Sequence, residues 1–584
     1  MLLNLVEWCI IFGWSFGKPV EGEREMKAKV IFAIVVFIGT VCGLSGLALY
    51  EIDFDIILKN GKIINGTGNP WFLGDVGIKG DTIAAIGKLE NMQAKKVIDV
   101  EGLVISPGFI DMHTHCDTGL ANPETRANLN YLSQGVTTVV GGNCGLGSNE
   151  VREITAVWNE QGIGTNAIQL VGIGVVRGLV LGNEDRDPSQ AELHKMKTIL
   201  RKAMEEGAWG MSTGLQYIPG RYASTEEIVA LAEIVAEYGG IYSTHMRSEE
   251  EELVQAVKET IRIGEATGVR TNIAHFKASG KLNWGSMFEA VKLVEEARLR
   301  GLEITADMYP YSKSATTPLS IIFHIPKGME PFSEIETKAG DKNLTEEERK
   351  ALSQRYVDEL AEALQDKSKR AKIKKLTLEG DPDKVNWVAK GGWYNFTIMD
   401  AKKNTHLVGR MFCDLAQEQG REEFDIAADL FIEEKNDIII SLSTMSEDDV
   451  QHALKKSWVM VSSDGSAVPY KQQSVHPRNY GSFPRVLRKY VREERLLSLV
   501  EGIRKMTSLP AQLLRSSDRG LLLKGYKADL VVFDPEKIQD NATFLNPHQY
   551  ASGIEYVIVN GKISIEKGQY NKSLSGRALL LNEN

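Results

Sequence analysis

The chain has 584 residues, 43% of them apolar and 25% charged, enough to fill a large core, which excludes a disordered protein. Lysine and arginine number 68 against 78 aspartates and glutamates, a net charge of −10, and no basic tract breaks that balance, so no nucleic-acid partner is expected. Five cysteines are too few for a disulfide framework; Cys9 and Cys42 fall in an apolar N-terminal stretch, leaving Cys116, Cys144 and Cys413, an odd number.

Val30 to Tyr50 carries no charge over 21 residues and follows Met26-Lys27-Ala28-Lys29, a basic segment ahead of an apolar one. Residues 1–50 are read as a signal peptide with a small-x-small cleavage site at Gly46-Leu47-Ala48, or as a retained membrane anchor, since such a helix also crosses a bilayer core of ~30 Å. A plainer account of the first apolar run makes Met26 the true start and leaves residues 1–25 untranslated. Export to the periplasm or the outside, or membrane attachment through this segment, is expected ahead of a cytoplasmic location.

Past the leader, residues 54–64 read as a strand, an Asn60-Gly61 turn and a second strand, because Asn and Gly tolerate the positive φ of a two-residue hairpin. Residues 527–534 and 556–563 repeat the theme at the far end, with a second Asn-Gly at 560–561. These segments, within 51–106 and 511–584, predict one small β-sandwich domain built from both chain ends. Between them, strands and helices alternate. Ser224, Ser248 and Ser286 each precede a Glu by three residues, the pattern of a helix N-cap, and the strands between those helices end at His245, His275 and Asp307. With strands legible at 109–113, 136–141, 167–172, 208–213 and 458–463, the total is eight, as an α/β fold closed into a (β/α)8 TIM-like barrel over 107–510 requires. A ninth run, 438–442, is placed outside the ring. Residues 325–430 break the rhythm and are read as a late insertion of the lid type, with Trp393-Tyr394 as its least solvent-like feature.

Phe109-Ile110-Asp111-Met112-His113-Thr114-His115 ends the first barrel strand, and residues two apart on a strand share a side, so His113 and His115 converge. Only ten histidines are present, and His113, His115, His245 and His275 all fall at the C-terminal strand ends, the rim where such barrels carry their sites. Cys144, between Gly142-Asn143 and Gly145 at the end of the second strand, offers a thiolate suited to zinc. Asp464 ends the eighth strand.

These residues resemble the amidohydrolase superfamily, and Gly108 to His115, Gly142-Asn143-Cys144-Gly145, Ser212-Thr213-Gly214-Leu215, Thr244 to Arg247, Asp307 to Tyr311, Ser463-Asp464-Gly465 and His476 to Arg485 resemble its N-acyl-D-amino-acid deacylase (D-aminoacylase) family over residues 52–575. The resemblance implies a zinc-dependent enzyme that hydrolyses the amide bond of small N-acyl-D-amino acids. It implies one tight Zn2+ on Cys144, His245 and His275, a weaker second position lined by His113 and His115 and bridged by Cys144, and Asp464 as catalytic acid/base. It further implies Lys277, Tyr309 and Arg478 as holders of the substrate carboxylate. The alternative is a cyclic-amide hydrolase of the hydantoinase or dihydroorotase kind, or another amidohydrolase. Against the ring openers, strand 207–214 lacks the lysine that many relatives carboxylate to bridge two metals. Against a metal-free interaction module, all six metal and acid/base positions are intact.

Overall fold

The structure is a computed structural model that describes residues 53–339, 345–381, 386–470 and 475–583. The leader expected at 1–50 lies outside the described residues; among those described, no helix is long and apolar enough to cross a membrane.

Eight parallel strands form the ring: Phe109–Asp111, Val136–Gly141, Asn166–Gln169 continued by Val171–Gly172, Gly210–Gly214, Ile241–His245, Arg270–Ile273, Ile304–Met308 and Val459–Val461. The third is interrupted at Leu170, its first half pairing with the second strand and its second half with the fourth. Strands one and eight close the ring just beyond their ends: Thr114 bridges Gly465 in parallel, Asp464 N donates to His113 O at 2.9 Å, and His115 N donates to Gly465 O at 2.7 Å. Closure therefore sets the His-x-His segment directly beside Asp464.

Strands from both chain ends interleave in a second sheet, ordered Lys562–Glu566, Ile554–Val559, Leu530–Phe533, Val104–Pro107, Phe54–Ile63, Phe72–Lys79, Thr82–Gly87. The two Asn-Gly pairs behave differently. Asn560-Gly561, with φ of 48° and 76°, makes the expected tight turn, Val559 pairing with Lys562. Asn60-Gly61 makes no turn: Phe54–Ile63 is one strand with a bulge between Leu58 and Gly61. Asn60 takes φ 63°, its N–H bonds to Asp75 Oδ1 at 2.9 Å, and a Cβ on Gly61 would collide with Ile105. The left-handed residue is spent on a bulge because a neighbouring strand covers it.

Of the three capping serines, Ser224 accepts from Glu227 N at the start of Thr225–Glu237. Ser286 precedes Met287–Leu299 without capping it through its side chain. Ser248 corrects the sequence reading: the helix begins only at Leu253, and Ser248 accepts from Glu250 N in a turn that carries Glu249 inward.

The insertion reaches wider than 325–430. Ala315–Pro318, Ile439–Leu442 and Phe396–Asp400 form a separate three-stranded antiparallel sheet, which accounts for the ninth run outside the ring. Helices Glu346–Gln365, Lys367–Glu379 and Glu423–Glu434 pack with it around an apolar core of their own that includes Phe323, Leu360, Leu364, Phe396, Phe412 and Phe431. Trp393 is buried against Phe396 and Phe412, whereas Tyr394 is exposed under the Lys281 ammonium. Phe412→Ala is expected to cost about 3–5 kcal/mol, the cavity cost of a buried aromatic, read from denaturant unfolding; a loss below about 1 kcal/mol would contradict this core.

Candidate functional site

The strand ends deliver four ligand-type residues to one point. Cys144 Sγ lies 3.4 Å from His113 Nε2, 3.7 Å from His245 Nδ1 and 3.6 Å from His275 Nε2. His115 joins from two residues beyond His113, and the ligand atoms of His113, His115 and Cys144, like those of Cys144, His245 and His275, lie within 4.8 Å of one another. Every predicted ligand is in this cluster, and all but His115 are buried.

The backbone is bent to achieve this. Cys144, His275 and Asp464 adopt φ of 54°, 34° and 49°, the left-handed region that costs a side-chain-bearing residue roughly 1–2 kcal/mol. Sharp turns immediately after the strands swing these three side chains over the barrel mouth.

Each imidazole that faces the thiol turns its other nitrogen to a buried carboxylate. His113 Nδ1 lies 3.5 Å from Asp307 Oδ1, His275 Nδ1 2.8 Å from Glu249 Oε1, and His245 Nε2 3.8 Å from Glu249 Oε2. A carboxylate behind an imidazole fixes the ring and raises its basicity toward a metal in front. Asp307 is itself held by Asn272 Nδ2 at 2.6 Å, Ser462 Oγ at 2.7 Å and His275 N at 2.9 Å. A thiol ringed by oriented imidazoles is a zinc-type donor set, so the residues present fit a metal ion.

The electrostatics agree. Burial alone would raise the Cys144 thiol, but the adjacent His113, with His115 and His245, holds it well below the usual thiol range. Burial pushes Glu249 up, yet Lys277 and the two histidines bring it down to about 2. Asp464 is treated likewise: against its burial, Arg478 and His113 hold it well below the usual carboxylate range. Burial lowers His115, and the opposing Asp464 and Cys144 carry it up to about 9.

Asp464 sits between the metal cluster and a cation. Its Oδ1 lies 3.5 Å from His113 Nε2 and 3.3 Å from His115 Nε2, and its Oδ2 accepts from Arg478 Nη1 at 2.8 Å. Arg478 also donates to Ser314 O at 2.9 Å, and its guanidinium lies over the Tyr309 ring at 5.0 Å. Its buried Nε–H and the buried Tyr309 hydroxyl have no hydrogen-bond partner among the described residues. Lys277 is also at the site, 5.8 Å from the Tyr309 ring, but its ammonium is committed to Glu249 Oε1 at 2.5 Å.

Three further residues join the site that the sequence reading left without a role. Glu249 was hidden inside a helix-cap pattern. Asp307 stood in a strand-end motif with no function attached. Tyr217, whose ring meets His245 edge-on at 4.8 Å, lies in the loop after strand four, where no periodicity points to it.

A thiolate–imidazole centre and a poised carboxylate, set at the C-terminal mouth of a closed (β/α)8 barrel, define the class of metal-dependent barrel hydrolases. The sequence profile described as "Amidohydrolase family" matches residues 96–316 and 438–565, leaving out most of the insertion. D-aminoacylase of Alcaligenes xylosoxydans xylosoxydans is 32% identical over 549 residues, 90% of this chain and 97% of that protein. A crystal structure of D-aminoacylase superposes with a TM-score of 0.70 at 33% identity over 90% of this chain and 99% of that one. The N-acyl-D-glutamate deacylase of Bordetella bronchiseptica, solved with zinc and a phosphonate mimic of the tetrahedral intermediate, gives a TM-score of 0.70 at 29% identity over 90% and 99%. The chain belongs to the amidohydrolase family, in its branch of D-aminoacylases and N-acyl-D-amino-acid deacylases.

Proposed function

We propose that the chain hydrolyses the amide bond of N-acyl-D-amino acids, releasing a carboxylate and a D-amino acid. Support comes above all from the convergence of Cys144, His245 and His275 on one point beside Asp464; the substrate class and its handedness come from the deacylases that the chain resembles. Cys144, His245 and His275 would hold a tight zinc ion, and His113 and His115, with Cys144 shared between the two groups, would line a weaker position. A zinc ion in such a donor set would polarise an amide carbonyl and lower the pKa of a water it holds toward ~7.

The chain's own residues supply the rest. Asp464, ionised and facing the cluster through Oδ1, accepts a proton from the attacking water. It then returns that proton to the departing nitrogen, which an amide requires because an amide anion is a very poor leaving group. Arg478 offers the substrate carboxylate a planar fork of which Nε is unspent, and Tyr309 adds a hydroxyl donor beside it. Lys277 adds positive charge from behind His275 and fixes Glu249, whose carboxylate backs His275 Nδ1 at 2.8 Å.

Amine release from matched N-acyl-D- and N-acyl-L-amino acids tests this reading: turnover of the D series alone is expected, and turnover of cyclic amides with none of the D series would replace it with the ring-opening alternative. Arg478→Lys keeps a charge but loses the fork, and KM is expected to rise about 10- to 100-fold, the worth of a charge-assisted hydrogen bond or two; an unchanged KM would remove Arg478 from carboxylate binding. We also propose export through residues 1–50. The amino terminus of the secreted protein checks it: a start near residue 49 is expected, and full-length chain confined to the cytoplasm would refute it.

A further inference from the structure

The hydrolysis proposed above leaves one polar group at the metal cluster without a task. Tyr217 stands three residues past the end of the fourth barrel strand, Gly210–Gly214. Its ring meets the His245 ring edge-on at 4.8 Å. The turn that carries it is fixed on every side: Leu215 N donates to His245 O at 3.0 Å, Tyr217 N to Gly214 O at 3.1 Å and Arg221 N to Tyr217 O at 2.7 Å. Gly214 in turn runs so close to the metal cluster that a Cβ there would come within 2.1 Å of Cys144 O and 2.9 Å of Tyr217 Cδ2. Tyr217 is nonetheless 44% exposed, so core packing does not account for it. Its hydroxyl has no hydrogen-bond partner among the described residues. Burial, with Cys144, Glu249 and Asp464, holds that hydroxyl well above the usual phenol range, and Arg478 opposes them. Glu249 lies behind the histidines and Asp464 with Arg478 on the other flank. A hydroxyl within the field of all four therefore lies over the cluster, protonated and able to donate.

We propose that the Tyr217 hydroxyl is a catalytic hydrogen-bond donor to the carbonyl oxygen of the scissile amide, acting when that oxygen carries negative charge. The inference rests on the deacylase reading above. With the substrate carboxylate at Tyr309 and Arg478, on the Asp464 side, the scissile carbonyl lies over Cys144 and its histidines, and Tyr217 meets it from the His245 side. As the water oxygen bonds to the carbonyl carbon, its proton passes to Asp464 and the C=O π pair moves onto the carbonyl oxygen. Tyr217 shares its proton with that oxygen without giving it up. When the pair returns, the C–N bond breaks and Asp464 hands its proton to the nitrogen. A hydroxyl with no acceptor in the protein is at liberty to bond the substrate. That bond strengthens as charge develops, which lowers the barrier instead of merely tightening binding.

Tyr217→Phe tests this, since it keeps the ring on His245 and removes only the hydroxyl. In the zinc-loaded protein kcat is expected to fall by about 10²- to 10³-fold, the loss for one oxyanion donor, with KM within about threefold of the parent. Zinc content and melting temperature are expected to stay at the parental values; a drop in either means that the hydroxyl holds ligands or fold, and overturns the proposal. A role in structure alone would not move the inhibition constant of a phosphonate mimic of the tetrahedral intermediate, built on the D-amino acid that the parent releases fastest. That constant is expected to rise by the factor by which kcat/KM falls, while the Kd of the free D-amino acid stays put. Parental kcat in the variant, a rise in KM alone, or an unmoved phosphonate constant overturns the donor and leaves the deacylase reading standing. A parent that hydrolyses no N-acyl-D-amino acid overturns that reading and the donor with it.

Discussion

Asp464→Asn is expected to keep the fold and the metal while kcat falls by about 10²- to 10⁴-fold, the range for losing a positioned general acid/base. The substitution is mild in every other respect. Asn is nearly isosteric with Asp and shares its tolerance of the left-handed backbone, which matters at φ 49°. Its side-chain oxygen can still accept from Arg478 Nη1, as Oδ2 does at 2.8 Å. What it cannot do is take up a proton at neutral pH. Because Asp464 is not among Cys144, His245 and His275, metal content should stay at the parental value, and KM should move little. Near-parental kcat with full metal would remove Asp464 from the proton path.

Cys144→Gly is expected to abolish tight metal binding and to lower kcat/KM by about 10³-fold or more, since a Lewis acid supplies several kcal/mol of transition-state stabilisation. The same substitution should make the metal-free protein more stable than Cys144→Ala by about 1 kcal/mol, because φ 54° is strained for any residue with a Cβ and free for glycine. Loss of zinc and of turnover is what separates the site from a structural cysteine, whose replacement would leave metal content and kcat/KM unchanged. If Cys144→Gly bound zinc as tightly as the parent, the ligand set would have to be rebuilt without sulfur.

The metal cluster was the most legible part of the sequence because it obeys local rules. Two residues apart on one strand places His113 beside His115, and one strand–helix unit separates His245 from His275, so periodicity alone brings all four to the same rim. Glu249 escaped because Ser248 to Glu251 satisfies a capping pattern that the chain does not use: the helix starts at Leu253, and the turn in between exists to reach Lys277. Asp307 is anchored by Asn272 and Ser462 and faces His113, partners far from it in the chain, and no local signal announces them. The insertion boundaries failed for the same physical reason. Ala315–Pro318 pairs with Ile439–Leu442 across more than a hundred residues, a pairing that composition does not encode, whereas the Glu- and Lys-rich helices between them were visible as a break in rhythm. Asn60-Gly61 and Asn560-Gly561 are the same dipeptide with opposite outcomes, since tertiary cover by Ile105 decides between bulge and turn.

One thiolate and two imidazoles, Cys144, His245 and His275 from strands two, five and six, would grip a metal ion opposite Asp464. X-ray absorption at the zinc edge, on protein carrying one equivalent of zinc, tests it most directly. One sulfur scatterer at about 2.3 Å with nitrogen or oxygen scatterers at about 2.0–2.1 Å is expected, with loss of the sulfur shell in Cys144→Gly. A first shell without sulfur in the parent protein would contradict it.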